Sequence, residues 1–260
     1  MMTLIRSLSR ALCVTVVCAG CSASHVFQPE DPPLAESAAQ GICQDVNAKR
    51  PDVTSFRIMA ESTVTAGRES ASFRYVIVAR DPDDMRIDLL PVEGAFTLGM
   101  LIAQGDEVTV LNTQDKTYKR SKDKSAIFEE FLGLRGVSSP VIRGIVTGIP
   151  PVFDCERVSV FEGPRESVVL LDRDGRVAWR VDSETGRVRA FDILGTDDDS
   201  IQVAGTLYYS TAGNPASMSL DVYQPHEAHG ILLFKRMTLN PVLADEIFLV
   251  PIPASYQAED

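Results

Sequence analysis

Histidine, tryptophan and positive charge are all scarce in this chain. There are three histidines, His25, His226 and His229, and a single tryptophan, Trp179. Metal centres and acid–base sites draw heavily on histidine. His226 and His229 bracket Glu227 and Ala228, which is the wrong spacing for a zinc-protease helix. Ser-centred nucleophile elbows, Cys-His pairs and phosphate-cradling glycine loops are missing. The acidic run Asp197-Asp198-Asp199 lacks the ligand spacing of a calcium loop and reads as a solvated turn. The motifs therefore point to no catalysis, no cofactor and no metal, and the expectation is a protein that is not an enzyme. Lysine and arginine number 25 against 36 aspartates and glutamates, for a net charge of −11. That balance argues against a nucleic-acid partner and against electrostatic docking on anionic lipid. Beyond the first twenty residues, no apolar run is long enough to span a bilayer.

What is present begins at Met1. Arg6 and Arg10 form a basic start, residues 11–17 a short apolar run, and Ala19-Gly20-Cys21-Ser22 follows. Basic, apolar and small-residue regions in that order make a secretory signal, too short to be a membrane span. The small-small-Cys ending resembles the lipobox of bacterial lipoproteins. The resemblance implies cleavage before Cys21, which becomes the lipid-bearing first residue. Cys18 stands where that family usually has Leu. Ser22, in place of the Asp that retains such proteins in the inner membrane, implies the periplasmic face of the outer membrane. The alternative is an ordinary secretory signal with an incidental Cys. On the lipoprotein reading, residues 1–20 are the signal, 21–33 a lipidated tether rich in proline, and 34–260 the folded body. Loss of Arg6 and Arg10 leaves 23 basic residues against 36 acidic ones, a net −13.

Cys13 and Cys18 leave with the signal and Cys21 takes the lipid, so Cys43 and Cys155 remain. In an oxidising periplasm they form either a disulfide, tying an N-terminal helix to the middle of the body, or two buried thiols.

The body is long enough for one large all-β domain or two small ones. Residues 34–49 have helical spacing, with Leu34, Ala38, Ile42 and Val46 on one stripe, and Pro51 stops the helix. Period-2 runs then dominate. Phe56, Ile58 and Ala60 alternate with polar residues, and so do Ala71, Phe73, Tyr75 and Ile77. Met85, Ile87 and Leu89 follow, then residues 96–103, 107–112 and 117–119. Turns rich in Gly, Pro, Asn and Asp separate them, as in antiparallel hairpins. Residues 125–134 return to helical spacing. Ser139 as N-cap, followed by Pro140, predicts a further helix start, ended by Gly148 and Pro150. Strand runs resume at 155–161, 166–172, 176–181, 187–193, 201–210, 217–223 and 230–240, with an extended closing segment over 239–253. Helices set midway into one long antiparallel meander predict a curled sheet with helices lying on it.

That order resembles the LolA/LolB family, the periplasmic carrier and outer-membrane acceptor of bacterial lipoproteins. The residues that carry the resemblance are Asp84-Met85-Arg86-Ile87-Asp88-Leu89-Leu90, Leu101-Ile102-Ala103-Gln104-Gly105-Asp106-Glu107-Val108, and Leu239-Asn240-Pro241 with residues 248–253. It implies a mostly β fold, a half-open antiparallel β-barrel with a helical lid. With the lipobox, it implies an anchored acceptor of the LolB type. An apolar concave face suits acyl chains, since each buried CH₂ contributes about 0.8 kcal/mol and little direction is needed. The candidate lining is Phe56, Ile58, Phe73, Tyr75, Ile77, Ile87, Leu89, Leu98, Met100 and Trp179; the candidate lid is Phe128, Phe131, Ile142, Ile145 and Val146. The other reading of these side chains is an ordinary core, because periodicity marks a buried face without saying what covers it. The family's acceptors insert lipoproteins into the membrane with an exposed apolar loop residue near the joint Pro91-Val92-Glu93-Gly94-Ala95-Phe96. Val92 or Phe96 would take that part, unless the joint is a plain turn with Phe96 already in the next strand. The expected partners are thus a membrane through Cys21, acyl chains of lipids or lipoproteins, and a periplasmic carrier protein. The alternative function is a non-enzymatic structural or adaptor lipoprotein with the same fold and a filled interior.

Overall fold

A computed structural model describes residues 32–80, 83–94, 96–123, 137–174, 176–195, 200–223, 227–249 and 251–259. The segment read as signal and tether up to residue 31, the helical spacing of 125–134 with Phe128 and Phe131, His226 and residues 197–199 lie outside them. Among the described residues, no helix is long and apolar enough to cross a membrane.

Helix α1 (Glu36–Lys49) is followed by strands β1 (Ser55–Ala66), β2 (Glu69–Arg80), β3 (Asp84–Pro91), β4 (Gly99–Gln104), β5 (Glu107–Asn112) and β6 (Thr117–Ser121). Helix α2 (Ser139–Thr147) comes next. Strands β7 (Ser159–Glu162), β8 (Ser167–Asp172), β9 (Val177–Asp182), β10 (Val188–Leu194), β11 (Ile201–Tyr209), β12 (Pro215–Val222) and β13 (Ala228–Leu239) then run to a short 3-10 turn (Asp245–Ile247) and β14 (Gln257–Ala258).

Among the described residues, all fourteen strands belong to one sheet, ordered β14-β6-β5-β4-β3-β2-β1-β13-β12-β11-β10-β9-β8-β7. Two meanders, β1 to β6 and β7 to β13, join where the long strands β1 and β13 pair antiparallel, from Phe56 opposite Leu239 to Thr65 opposite His229. Every neighbouring pair is antiparallel except β14 on β6. The sheet is mostly β in the predicted way and is not closed, since β7 and β14 have no mutual pairing. It is nonetheless curled. Leu101 of β4 and Leu170 of β8 lie far apart in strand order, yet share one buried cluster with α1 and α2.

Strand β6 lies near one edge and β7 forms the other. Helix α2, between them in sequence, packs on the concave side of the sheet. Gly148 ends α2 in the left-handed conformation (φ 67°), where lack of a Cβ is an advantage. The helix starts one residue earlier than Ser139 as N-cap would have it: Ser138 holds that position.

Helix α1 leans on β7. Its buried face is Ala39, Ile42, Cys43 and Val46, a spacing of three, one and three. Ala38, placed on that stripe by the sequence reading, is instead exposed. Just before the helix, the Leu34 N–H donates to the Val160 carbonyl (2.8 Å) and partly covers the open edge of β7.

The residues after β13 form a strap on the convex face of the first meander. Asn240 turns the chain (φ 53°), and its Oδ1 accepts from the Thr54 N–H at 2.9 Å. Arg80 pairs with Asp245 at 2.6 Å and stacks over Phe248. Leu243 and Phe248 pack on Val78, and Ile252 and Tyr256 pack on Met100, Ile102 and Leu111.

Candidate functional site

The concave face is built by the period-2 side chains of both meanders. Phe56 and Ile58 of β1, Ile77 of β2, Ile87 of β3 and Trp179 of β9 are buried in one cluster with Ile142, Ile145 and Val146 of α2. Leu89, also buried, continues the same face of β3. Phe73 and Tyr75 are half-buried opposite Pro91 and Leu89. Burial pushes the Tyr75 hydroxyl above its usual range. Leu98 lies just outside β4, half-buried, its N–H donating to the Leu89 carbonyl at 2.7 Å.

Met100 is a correction. It belongs to the convex face, in the cluster under Ile252 and Tyr256, and the concave side of β4 is supplied by Leu101 and Ala103. Both faces of β4 are covered, so Gly99 to Ala103 are buried in succession and no alternation marks the inner side.

The two ends of the concave face differ. At one, the β3–β4 loop carries Val92, 39% exposed, and Phe96, 61% exposed. Phe96 precedes β4 and does not belong to it. The loop is held by Arg74, whose Nη2 donates to the Val92 carbonyl at 2.6 Å, and Gly94 turns it at φ 118°. Phe73, Pro91 and Leu98 sit at its base.

The other end lies about 20 Å away along β1, six residues from Ser62 back to Phe56. Here α2 is seated. The Arg143 guanidinium stacks over the Phe56 ring, 5.6 Å from its centroid. Gly144 rests against Trp179: a Cβ there would lie 2.8 Å from Cη2 of the indole. The Tyr209 hydroxyl donates to the Val188 carbonyl, with the Gly148 carbonyl at 3.3 Å, while the Val188 N–H also reaches Gly148 at 3.0 Å. Burial holds the Tyr209 hydroxyl well above the usual tyrosine range, despite Arg187 and Arg189 over its ring. A cleft of about 460 Å³ opens between α2 and residues 50–53, with Arg50, Arg143 and Phe56 in its wall.

The return from α2 is fixed to α1. Cys43 and Cys155 are joined by a disulfide, with Cα atoms 5.6 Å apart. Asn47 grips the backbone of Phe153 beside it. Sequence reasoning passed over Gly144, Asn47 and Tyr209. Only Gly144 left a signal, as the one small residue in an apolar helical stripe.

This architecture is found in solved structures. The chain superposes on a DUF1329 family protein from Desulfovibrio piger with a TM-score of 0.58 at 12% identity, covering 82% of this chain and 96% of that one. A LolA superfamily protein from Nitrosomonas europaea gives 0.56 at 14% identity, covering 82% and 97%. A domain described as a putative outer membrane lipoprotein-sorting protein, from Vibrio parahaemolyticus, gives 0.55 at 12% identity, again covering 82% and 97%. Neither a protein-family model nor a curated protein matches the sequence. At these identities the likeness is one of fold: an unclosed, largely antiparallel sheet with, among the described residues, two helices, of the LolA type.

Proposed function

We propose that this protein is a lipoprotein, anchored through Cys21 at the periplasmic face of the outer membrane, that takes up acyl chains of lipids or lipoproteins on the concave face of its sheet. It acts as an acceptor or carrier of the LolB type by reversible burial, without covalent chemistry. One observation carries the reading. The curled sheet stays open along its edges, and its apolar concave side is covered by the short helix α2, which belongs to no strand pairing. Such a cover can be displaced without unpairing a strand. The solved proteins of the same fold include one described as lipoprotein-sorting. Transfer would run on differential affinity between this face and the previous holder, a periplasmic carrier protein. Val92 and Phe96, exposed at the far end, suit contact with the membrane.

A second reading has its own observation. Phe56, Ile58, Trp179 and the α2 side chains already fill one buried cluster, as in a structural or adaptor lipoprotein whose interior serves only as core.

Native mass spectrometry with lipid extraction separates the two. Co-purifying phospholipid or lipopeptide, lost when Ile142 and Ile145 are replaced by glutamate, supports the carrier. A bare protein mass, with no uptake of a fluorescent fatty acid, supports the scaffold.

A further inference from the structure

Among the described residues, the Ser62 hydroxyl of β1, the Ser139 hydroxyl of α2 and the Trp179 indole are buried without a hydrogen-bond partner, and Trp179 is the most deeply buried of the three. Trp179 is 0% exposed, and its indole N–H has no hydrogen-bond partner. Its cross-strand neighbours are Leu170 and Phe191, the latter with ring centroids 6.1 Å apart, and Gly144 of α2 touches its benzo edge. No hydrogen-bond acceptor lies within reach of the N–H. A buried donor without an acceptor is rare in native proteins, because the group forfeits its hydration and recovers nothing.

The position of the indole is as telling as its unmet hydrogen bond. Gly144 lets α2 lie directly on the ring, so a chain that slips between α2 and the sheet must meet Trp179. On the acyl-binding reading above, on which this inference rests, we infer that the Trp179 N–H is the donor that recognises the carbonyl of a bound ester- or amide-linked acyl group. Most of the cargo is then held without direction by the apolar wall, and a single hydrogen bond fixes the depth at which the acyl linkage stops. The site selects acylated lipids and lipopeptides over molecules with the same hydrocarbon length and no carbonyl. Trp179 is a specificity-determining residue in this scheme, and its donor is satisfied by cargo of the right class.

The test needs two ligands that differ in that carbonyl alone: 1-palmitoyl lysophosphatidylcholine and its 1-O-hexadecyl ether analogue. Both are titrated into the full-length chain in amphipol, below their micellar concentrations. Because Trp179 is the sole tryptophan, its fluorescence and its single indole ¹H–¹⁵N resonance report on this site without a label. The ester is expected to bind about tenfold tighter than the ether, the worth of one hydrogen bond in a dry site. It should also move the indole proton resonance downfield, which the ether should not. Trp179→Phe should bring the two affinities together. The wild-type comparison stands even if that variant folds poorly. Equal binding of ester and ether, with the same indole shift, overturns the inference and leaves the acyl-binding reading intact. Binding of neither overturns the acyl-binding reading, and the inference falls with it.

Discussion

Asn47 and Phe153 hold each other in both directions. The Asn47 Nδ2 donates to the Phe153 carbonyl at 2.9 Å, and the Phe153 N–H donates to Asn47 Oδ1 at 3.0 Å. One helical turn back, Cys43 is bonded to Cys155. These two links fasten α1 to the chain returning from α2, so the helix on the concave face is anchored at its exit by a part distant in sequence. The cross-link spans 112 residues. Replacing both cysteines by serine is expected to cost about 2–5 kcal/mol. Asn47→Ala should cost about 1–3 kcal/mol by stranding two backbone groups. Urea unfolding of the two variants checks both. Unchanged midpoints would mean that α1 contributes nothing to holding the return segment.

Two glycines should respond to alanine with opposite signs. Gly205 of β11 faces Phe191 of β10 across the ladder, and the buried Phe191 ring occupies the space where a Cβ would go. Gly205→Ala forces a fully buried ring to move and should destabilise by about 1–3 kcal/mol. Gly41 lies inside α1, exposed, with nothing within 4 Å of its Cβ position. Gly41→Ala should therefore stabilise by up to about 1 kcal/mol through helix propensity. Thermal unfolding of both variants under one condition decides it; a loss at Gly41 would contradict the open space there.

Periodicity made the strands legible, and the same argument shows where it stops. In β1, Phe56, Ile58 and Ala60 are buried and Arg57 and Met59 are exposed, because only the concave side of that stretch is covered. In β4 the C-terminal strap covers the second side as well, the alternation vanishes, and Met100 could not be told from Leu101. The pairing of β1 with β13 leaves no local trace, since it joins residues more than 160 positions apart. The site is legible in the same measure. Phe56, Ile58 and Trp179 announce a buried face by their spacing. That Trp179 lies under Gly144 depends on where α2 packs across the sheet, which no local pattern reveals.

Asp182 gives the stability a specific acid dependence. Burial alone would raise its carboxyl. The Arg189 guanidinium at 2.6 Å and the Thr185 hydroxyl and amide at 2.7 and 2.8 Å outweigh that and hold it at about 2. An unfolded aspartate titrates near 4. A carboxyl depressed in the folded state contributes stability that is complete above the unfolded value and lost as pH falls through the folded one. The stability difference between wild type and Asp182→Asn should thus be largest at neutral pH and shrink between about pH 4 and pH 2. Unfolding free energies measured at pH 7, 4 and 2.5 trace this, and a difference independent of pH would show that the charge of Asp182 is not what matters.

Phe96 offers the sharpest separation of stability from membrane contact. At 61% exposed it contributes little to the core, so Phe96→Asp should leave the unfolding free energy within about 0.5 kcal/mol of wild type. If the β3–β4 loop meets the membrane as proposed, the same change removes an inserted aromatic worth about 1.5–3 kcal/mol and puts a charge in its place. Co-sedimentation with phosphatidylethanolamine-rich vesicles should then fall at least about tenfold for a form lacking the lipid anchor. Val92→Asp, at the base of the same loop and 39% exposed, should act in the same direction with a smaller effect. The pair also tests orientation. The loop and the α2 end of the concave face are about 20 Å apart along β1, so a membrane-contacting loop points the mouth by Phe73 and Leu98 at the bilayer and keeps α2 on the periplasmic side. Unchanged sedimentation of both variants, with intact folding, would place the membrane-facing surface elsewhere and remove the loop from the transfer route.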